Sequence, residues 1–130
     1  MPVAKIHVHE GAFDDRELSA IGWAVQLPWR KSFRPTRGLL PRHICAPKGR
    51  FVHTPAFVGC TYSERLVLLE LTFISGRPKE KRLALLAALD RLVVEKVGLR
   101  PDDLLVMIYE LPGENISFGH GLAQRAHISA

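Results

Sequence analysis

The sequence predicts an α+β fold in which two duplicated β-α-β units form one four-stranded mixed sheet with both helices on one face. Three observations lead to this prediction. In residues 2–8 the small or apolar residues Ala4, Ile6 and Val8 alternate with Val3, Lys5 and His7, as in a half-buried strand, and a helical pattern follows them. A complete strand, helix and strand occupies residues 66–111. The two segments align at a fixed offset of 65 residues, so that Gly11 falls on Gly76.

The first unit covers residues 2–27. Its strand places Ala4, Ile6 and Val8 on one side and polar residues on the other. The chain then turns at Gly11. Asp14 or Asp15 is the predicted N-cap, and apolar residues follow at helical spacing, namely Leu18, Ile21 and Val25. This unit therefore reads as a strand, a turn and a helix.

The second unit covers residues 66–111 and repeats this order. A strand rich in β-branched and aromatic residues runs from Leu66 to Ser75, and Pro78 suits the first position of a helix that ends at Gly98. The helix carries one apolar stripe, formed by Leu86, Leu89, Val93 and Val97. A turn precedes a further strand from Leu104 to Leu111. A right-handed crossover makes the two strands parallel.

The segment 27–48 conflicts with the duplication. The offset requires the first helix to continue to about residue 32 and a strand to follow, but four prolines lie in this segment: Pro28, Pro35, Pro41 and Pro47. We expect Pro28 to end the helix near Leu27, and Pro41 to limit any strand to a short edge piece such as residues 39–46. Either a genuine replacement or a frameshifted patch would explain this composition.

The 130 residues are enough for one domain, residues 1–130, with a core of its own. There is no apolar run of membrane-spanning length and no signal-peptide pattern at the start, so we expect a cytoplasmic protein. Cys45 and Cys60 are too few for a disulfide framework and are read as free thiols. The glycine-punctuated end, residues 112–130, is predicted to be a hairpin or a loop.

The net charge of +5 comes from one segment. Residues 27–48 carry six cations and no acid, and the remaining 12 basic and 13 acidic residues nearly cancel. The six cations are Arg30, Lys31, Arg34, Arg37, Arg42 and Lys48. With Trp29 and Phe33 nearby, this segment supports one hypothesis, a nonenzymatic protein that binds nucleic acid or another polyanion.

The amino terminus supports a different hypothesis. If the initiator methionine is removed, Pro2 becomes a free secondary amine at the start of a strand. Burial and nearby cations both lower the pKa of such an amine, so that it would be neutral near pH 7 and able to act as a general base or acid. The alternative is that Pro2 only promotes removal of the methionine.

Several motifs together resemble the tautomerase superfamily, and within it the malonate semialdehyde decarboxylase-like branch. They are Met1-Pro2 at a strand start, Gly76-Arg77-Pro78-Lys79 after a strand, the turn Pro101-Asp102-Asp103 before a strand, and Asn115-Ile116-Ser117-Phe118-Gly119 near the end. The resemblance covers residues 2–26 and 49–129. It implies the duplicated fold, a homotrimer, and an amino-terminal proline that acts as the catalytic acid/base.

The resemblance also implies the site residues of a tautomerase acting on small enol, keto or unsaturated carboxylates. Pro2 moves the proton, and Arg77 holds the carboxylate and offsets enolate charge. Arg77 matches the first of two arginines that flank a proline, whereas Lys79 replaces the second. Phe118 matches a wall residue of the substrate pocket, and Ile116 stands where the family has a tryptophan. No cofactor or metal is predicted, because the six histidines show no metal-ligand spacing.

One position of the family pattern is vacant. The decarboxylases use an aspartate near the second strand to activate water, and this chain has no acidic residue between Glu17 and Glu64. Tautomerisation is therefore predicted in preference to decarboxylation or dehalogenation. A third hypothesis is a catalytically impaired member that only keeps the scaffold. We expect a small carboxylate substrate and no membrane partner, and the enzyme takes precedence over nucleic-acid binding.

Overall fold

The computed structural model describes residues 3–33 and 40–126. In chain order these contain β1 (Val3–His9), α1 (Asp15–Phe33), β2 (Leu40–Ala46), β3 (Ala56–Phe57), β4 (Cys60–Thr61), β5 (Val67–Ile74), α2 (Lys79–Val97) and β6 (Leu104–Leu111). Short 3-10 helices occupy Pro101–Asp103 and Gly113–Asn115. Neither α-helix in the described part of the chain is long and apolar enough to cross a membrane.

Four strands form a mixed sheet in the order β2-β1-β5-β6. The pairs β1–β2 and β5–β6 are parallel, and the central pair β1–β5 is antiparallel. The predicted fold class is confirmed: each β-α-β unit contributes one parallel pair, and the sheet joins them at its centre. The edge position of β2 agrees with its proline at position 41, which cannot donate a ladder hydrogen bond.

Both helices cover one face of the sheet, where the core lies. The inward-facing residues of β1, namely Ala4, Ile6 and Val8, are fully buried, as are alternate residues of β5. They pack with Ile21 of α1 and Leu89 of α2 in one continuous cluster. Burying a side chain such as Leu89 contributes about 1.5–3 kcal/mol. The period of two predicted from the sequence therefore identifies the core face.

The duplication is visible in the strand register. Residues equivalent by the offset of 65 occupy equivalent elements throughout, so that β1, α1 and β2 correspond to β5, α2 and β6. Lys5 lies opposite Glu70, which is its own equivalent in the other unit. A pseudo-twofold axis therefore passes between these two residues, and the two units meet there head to tail.

The end of α1 corrects one prediction. Pro28 does not terminate the helix near Leu27; it lies inside α1, which continues to Phe33. Proline removes one helical N–H donor, but Pro28 is buried and α1 packs along α2. Packing thus overrides the local preference. The helix end and the strand that the duplication requires are both present, since β2 begins at Leu40.

The remaining segments are short and tied to the sheet. The small hairpin β3–β4 was not predicted. The carboxylate of Asp103, 1% exposed, accepts hydrogen bonds from the backbone N–H and hydroxyl of Ser63, and Asp102 accepts two from Thr61. These bonds fasten the hairpin region to the start of β6. After β6, residues 112–126 form a 3-10 helix and turns, in agreement with the loop alternative.

Candidate active site

The chain segments that carry the predicted site residues leave or enter the sheet at one row of strand ends. This edge runs across the strands and is distinct from the edge strands β2 and β6. The parallel strands β5 and β6 both end there, and the backbone N–H of Ser75 donates to the carbonyl of Leu111 at 2.8 Å. The antiparallel strand β1 begins at the same edge, because Val3 lies opposite Thr72. Leu40 of β2 lies opposite Val3 on the other side. Segments that leave β5 and β6 therefore start beside the amino end of β1.

Arg77 leaves β5 at this edge, after a turn at Gly76, whose φ of 119° suits glycine. Its guanidinium stacks over the Phe73 ring at 5.0 Å from the centroid, and Nη1 donates to the carbonyl of Ile74 at 2.9 Å. Burial lowers the pKa of Arg77 below its usual value, and the Glu110 carboxylate partly opposes this shift. The cation is thus fixed in place and partly desolvated, which strengthens its attraction for an anion.

The first turn of α2 adds two cations to this edge. Lys79 is the first helical residue, and its N-cap, Pro78, provides no side-chain cap bond. Arg82 donates through Nη1 to the carbonyl of Arg77 at 2.7 Å and to Glu110 at 3.0 Å. Sequence reasoning missed the pair of Arg82 and Glu110, because the two residues are 28 positions apart and meet only when α2 packs beside β6. Arg82 therefore helps to hold the Arg77 backbone in position.

Ile116 and Phe118 lie in the loop that follows β6. Ile116 is half-buried, and Phe118 is 39% exposed. The backbone N–H of Phe118 donates to the Gln124 side chain, whose amide donates to the Gly119 carbonyl. Gly113 is buried so closely beneath the Arg125 backbone that a Cβ there would overlap the Arg125 carbonyl. The loop is thus an ordered, partly apolar surface attached to the end of β6.

Pro2 lies outside the described residues, as do residues 34–39 and 127–130. The structure describes β1 from Val3, the residue directly after Pro2. Most side chains of the basic segment 27–48 also lie outside the description, and the polyanion hypothesis stays a prediction. Among the exceptions, Arg42 is exposed on β2. Because Leu40 pairs with Val3, the basic segment returns to the sheet at the same edge as the candidate site.

The face of the sheet away from the helices carries a hydrogen-bonded polar cluster. His7 Nε2 lies 2.6 Å from one carboxylate oxygen of Glu70, and the Tyr109 hydroxyl donates to the other at 3.1 Å. The bond from His7 is the main cause that lowers the pKa of Glu70, and the Glu70 carboxylate raises the pKa of Tyr109. Tyr109, 45% exposed on this face, is therefore not a core residue.

The opposite edge of the sheet carries an aromatic cluster. His9 stacks on Phe51 with ring centroids 4.6 Å apart, and its Nε2 lies 2.9 Å from Nε2 of His53. His53 Nδ1 donates to the Thr54 carbonyl. Within residues 3–33 and 40–126, no group of three potential ligands could hold a metal ion, and Cys45 and Cys60 are free thiols.

Comparison with known proteins identifies the class of protein. Residues 42–119 match the family described as tautomerase enzyme, Tautomerase_2. This match spans more than half of the chain, so the chain belongs to that family and the predicted membership of the tautomerase superfamily is confirmed. A probable tautomerase of Bacillus subtilis (strain 168), YusQ, is 26% identical over 77 residues. That alignment covers 59% of this chain and 61% of YusQ.

Solved structures with the same fold include the branch that the sequence resembles. Malonate semialdehyde decarboxylase, inhibited by 3-bromopropiolate, superposes with a TM-score of 0.82 at 21% identity, covering 95% of this chain and 93% of that one. A fused 4-OT, described as a symmetric trimer, superposes with a TM-score of 0.76 at 20% identity, covering 95% and 97%. At these identities the likeness establishes the fold.

Proposed function

We propose that this chain is a tautomerase that uses Pro2 as general acid/base on small enol, keto or unsaturated carboxylates. The observation that carries the proposal is the placement of Arg77. The antiparallel register brings the first described residue of β1 beside the end of β5, from which Arg77 follows. A cation of the type that binds carboxylates thus lies near the edge of the sheet at which the described part of β1 begins.

The chemistry requires a group that moves a proton and a cation that stabilises negative charge. The secondary amine of Pro2 takes the proton from the enol oxygen and delivers a proton to the neighbouring carbon, which yields the keto acid. Arg77 binds the substrate carboxylate through parallel hydrogen bonds and reduces the cost of the enolate charge. The partial burial of Arg77 supports this role, since an anion gains more from a partly desolvated guanidinium.

The neighbouring residues complete the proposed pocket. Lys79 lies two positions beyond Arg77 and adds a second positive charge, although it lacks the forked geometry of an arginine. Ile116 and Phe118, in the loop after β6, provide an apolar wall. Such a wall keeps the Pro2 amine neutral near pH 7, because burial disfavours its charged form.

Tautomerisation is proposed in preference to decarboxylation or hydrolytic dehalogenation. Hydrolytic dehalogenation needs a group that activates water, and the family resemblance implies an aspartate in that role for the decarboxylases. The sequence offers no acid between Glu17 and Glu64. The strand β2, where the family resemblance implies an aspartate, consists of the residues LPRHICA. A reaction in which one amine shuttles a proton has no need of that carboxylate.

The proposed assembly is a homotrimer. In the described chain both helices cover one face of the sheet, and the other face retains half-buried apolar residues such as Leu68 and Leu105 beside the exposed Met107. Such a face is stabilised when another copy covers it. The fused 4-OT of the same fold is a symmetric trimer.

The proposed location is the cytoplasm. The free state of Cys45 and Cys60 supports a cytoplasmic location.

The test compares the ketonisation rate of phenylenolpyruvate for the wild-type protein and the Pro2→Ala variant at several pH values. Pro2→Ala replaces the rigid secondary amine of the ring by a more mobile primary amine of different basicity, and kcat/KM should fall by about 100-fold or more, the usual contribution of general acid/base catalysis. Pro47→Ala is the matched control: Pro47 is an exposed proline that follows β2 at the opposite edge of the sheet. Equal rates in wild type and Pro2→Ala would disprove the proposed mechanism.

A further inference from the structure

A surface cleft of about 390 Å³ lies between α2 and the edge strand β6. Its walls come from both elements of the second unit: Lys79, Arg82, Leu83, Leu86, Ile108 and Glu110. The cleft thus begins at the first turn of α2, directly beyond Arg77, and includes Lys79 of the candidate site. Its volume is within the range of small-molecule sites, about 300–1,000 Å³.

The charged groups of the cleft are arranged around one ion pair. Arg82 connects the two walls, because its Nη1 donates both to Glu110 on β6 and to the carbonyl of Arg77 before α2. Glu110 is 25% exposed at its side chain. A single carboxylate on a ligand would be attracted to Lys79 of the lining and to Arg77, which directly precedes α2. A second carboxylate beside the β6 wall would be repelled by Glu110, although the ion pair with Arg82 weakens this repulsion.

The rest of the lining is apolar. Leu83 is 54% exposed and so presents most of its side chain to solvent or to a ligand. Leu86 and Ile108 are half-buried, and Ile108 packs against the core on the helix-facing side of β6. An apolar substituent of a ligand would cover these three side chains and remove apolar surface from water.

We infer that this cleft selects the substrate class: monocarboxylates with an extended apolar or aryl substituent, whose carboxylate lies at Arg77 and Lys79 and whose substituent lies along Leu83, Leu86 and Ile108. Glu110 disfavours a second carboxylate on the β6 wall, and Arg82 acts as a positioning residue that fixes both Glu110 and the Arg77 backbone. The inference rests on the proposed carboxylate site and adds its specificity.

Equilibrium binding tests the inference without turnover. The probes are trans-cinnamate, crotonate as the short analogue, and phenylmalonate as the aryl dicarboxylate, titrated into the full chain by calorimetry and by methyl NMR. Cinnamate should bind at least tenfold more tightly than crotonate or phenylmalonate, and it should shift the methyl signals of Leu83, Leu86 and Ile108. Similar affinities for cinnamate and crotonate, or unshifted methyl signals, would overturn the inference.

Two variants test the individual walls. Leu83→Glu should weaken cinnamate binding at least tenfold, whereas Ala84→Glu, the same change at an exposed neighbouring position outside the lining, should leave it within twofold of wild type. Glu110→Gln should reduce the ratio of the affinity for cinnamate to the affinity for phenylmalonate at least fivefold. Unchanged cinnamate binding by Leu83→Glu, or an unchanged preference in Glu110→Gln, would contradict the assigned walls.

The outcomes separate this inference from the proposed function. Cinnamate binding in the cleft, together with equal ketonisation rates in wild type and Pro2→Ala, would support the ligand class and refute the proline mechanism. Ketonisation that depends on Pro2, with no change in the cleft signals on adding cinnamate, would support the proline mechanism and refute the inferred ligand class. Methyl signals of Leu83, Leu86 and Ile108 that change on dilution and not with cinnamate would show that a second copy fills the cleft, which also overturns the inference.

Discussion

The two β-α-β units begin their helices with opposite charges at equivalent positions. In the first unit, Asp14 and Glu17 form a reciprocal capping box: Glu17 N–H donates to the Asp14 side chain at 2.8 Å, and Asp14 N–H donates to the Glu17 side chain at 3.2 Å. In the second unit the equivalent residues are Lys79 and Arg82, and Pro78 provides no side-chain cap bond. One helix start satisfies its own backbone, and the other presents cations.

The cations near the two helix starts differ in their surroundings. Arg65, beside the start of α1, uses its guanidinium for internal contacts: it donates to the Ala12 carbonyl and to Glu17, and it stacks over Phe13 at 4.4 Å. Arg77 is fixed by its own strand and precedes a cleft. The helix start of the first unit thus uses its charged side chains for internal contacts, while the helix start of the second unit carries the proposed binding chemistry.

Copying a residue from the first unit into the second should break the site. Arg77→Ala installs the residue found at the equivalent position, Ala12, and removes the carboxylate-binding guanidinium. We expect kcat/KM for phenylenolpyruvate to fall by about 100- to 1,000-fold, as for the loss of one preorganised charge-stabilising donor. Steady-state kinetics measures this effect, and a thermal melt checks that the variant folds.

The matched control is Arg65→Ala, the cation of the first unit. It should lower the melting temperature by a few degrees, because its contacts with Ala12, Phe13 and Glu17 are internal, and it should leave kcat/KM near the wild-type value. Equal loss of activity in Arg65→Ala and Arg77→Ala would contradict the division of roles between the units.

The outer face of the sheet also differs between the units. Met107 on β6 is equivalent to Arg42 on β2. Met107→Arg should shift the proposed trimer towards monomer, because a buried unpaired cation is costly at an apolar contact. Sedimentation at micromolar concentration measures the assembly, with Ala84→Arg on the exposed surface of α2 as the control. A trimer of unchanged stability would show that this part of the face is not an interface.

The capping box should account for a smaller effect. Asp14→Lys installs the residue of the second unit, removes the N-cap bond to Glu17 and places a cation at a helix amino terminus. The free energy of unfolding should fall by about 1 kcal/mol. Urea denaturation measures the change, and Asp90→Lys, an exposed charge reversal within α2, is the control. Equal stability losses in both variants would mean that the cap itself contributes nothing.

The smallest effect concerns pH. Partial burial lowers the pKa of His43, whose ring lies beside Gly22; the equivalent of His43 in the second unit is Ile108. Since the unfolded chain binds the proton more readily, stability should fall as the pH drops below about 6.5. His43→Ile should reduce this loss between pH 7.5 and 5.5. Parallel pH profiles of the two proteins in urea denaturation would refute the assignment.

Much of the fold could be predicted because its strands keep a strict period. β6 has the bounds that the sequence predicts, β5 is one residue shorter than predicted at each end, and β1 continues one residue further than predicted, to His9. The end of α1 could not be predicted from Pro28, since the local cost of proline was outweighed by packing that the sequence does not display. The hairpin β3–β4 has strands of two residues, too short for any period.

One part of the candidate site could be predicted from the sequence, and another part could not. The placement of Arg77 followed from a local motif, a strand that ends in a glycine turn before a helix. The ion pair of Arg82 and Glu110 and the apolar lining at Leu83 depend on how α2 packs beside β6, which neither segment encodes alone. Contacts between side chains of different helices and strands are therefore seen only in the structure. Which residues lie together at the ends of the strands can be predicted from the order of the elements.

The pseudo-twofold axis between Lys5 and Glu70 affects which units can pair with each other. Two copies of the first unit in the same arrangement would set lysine against lysine, and two copies of the second would set glutamate against glutamate, both unfavourable across a strand pair. The two units therefore carry opposite charges at the axis. Between fragments of a chain cut between β2 and β5, this pair would favour the pairing of unlike fragments over that of like fragments by about 0.2–1 kcal/mol.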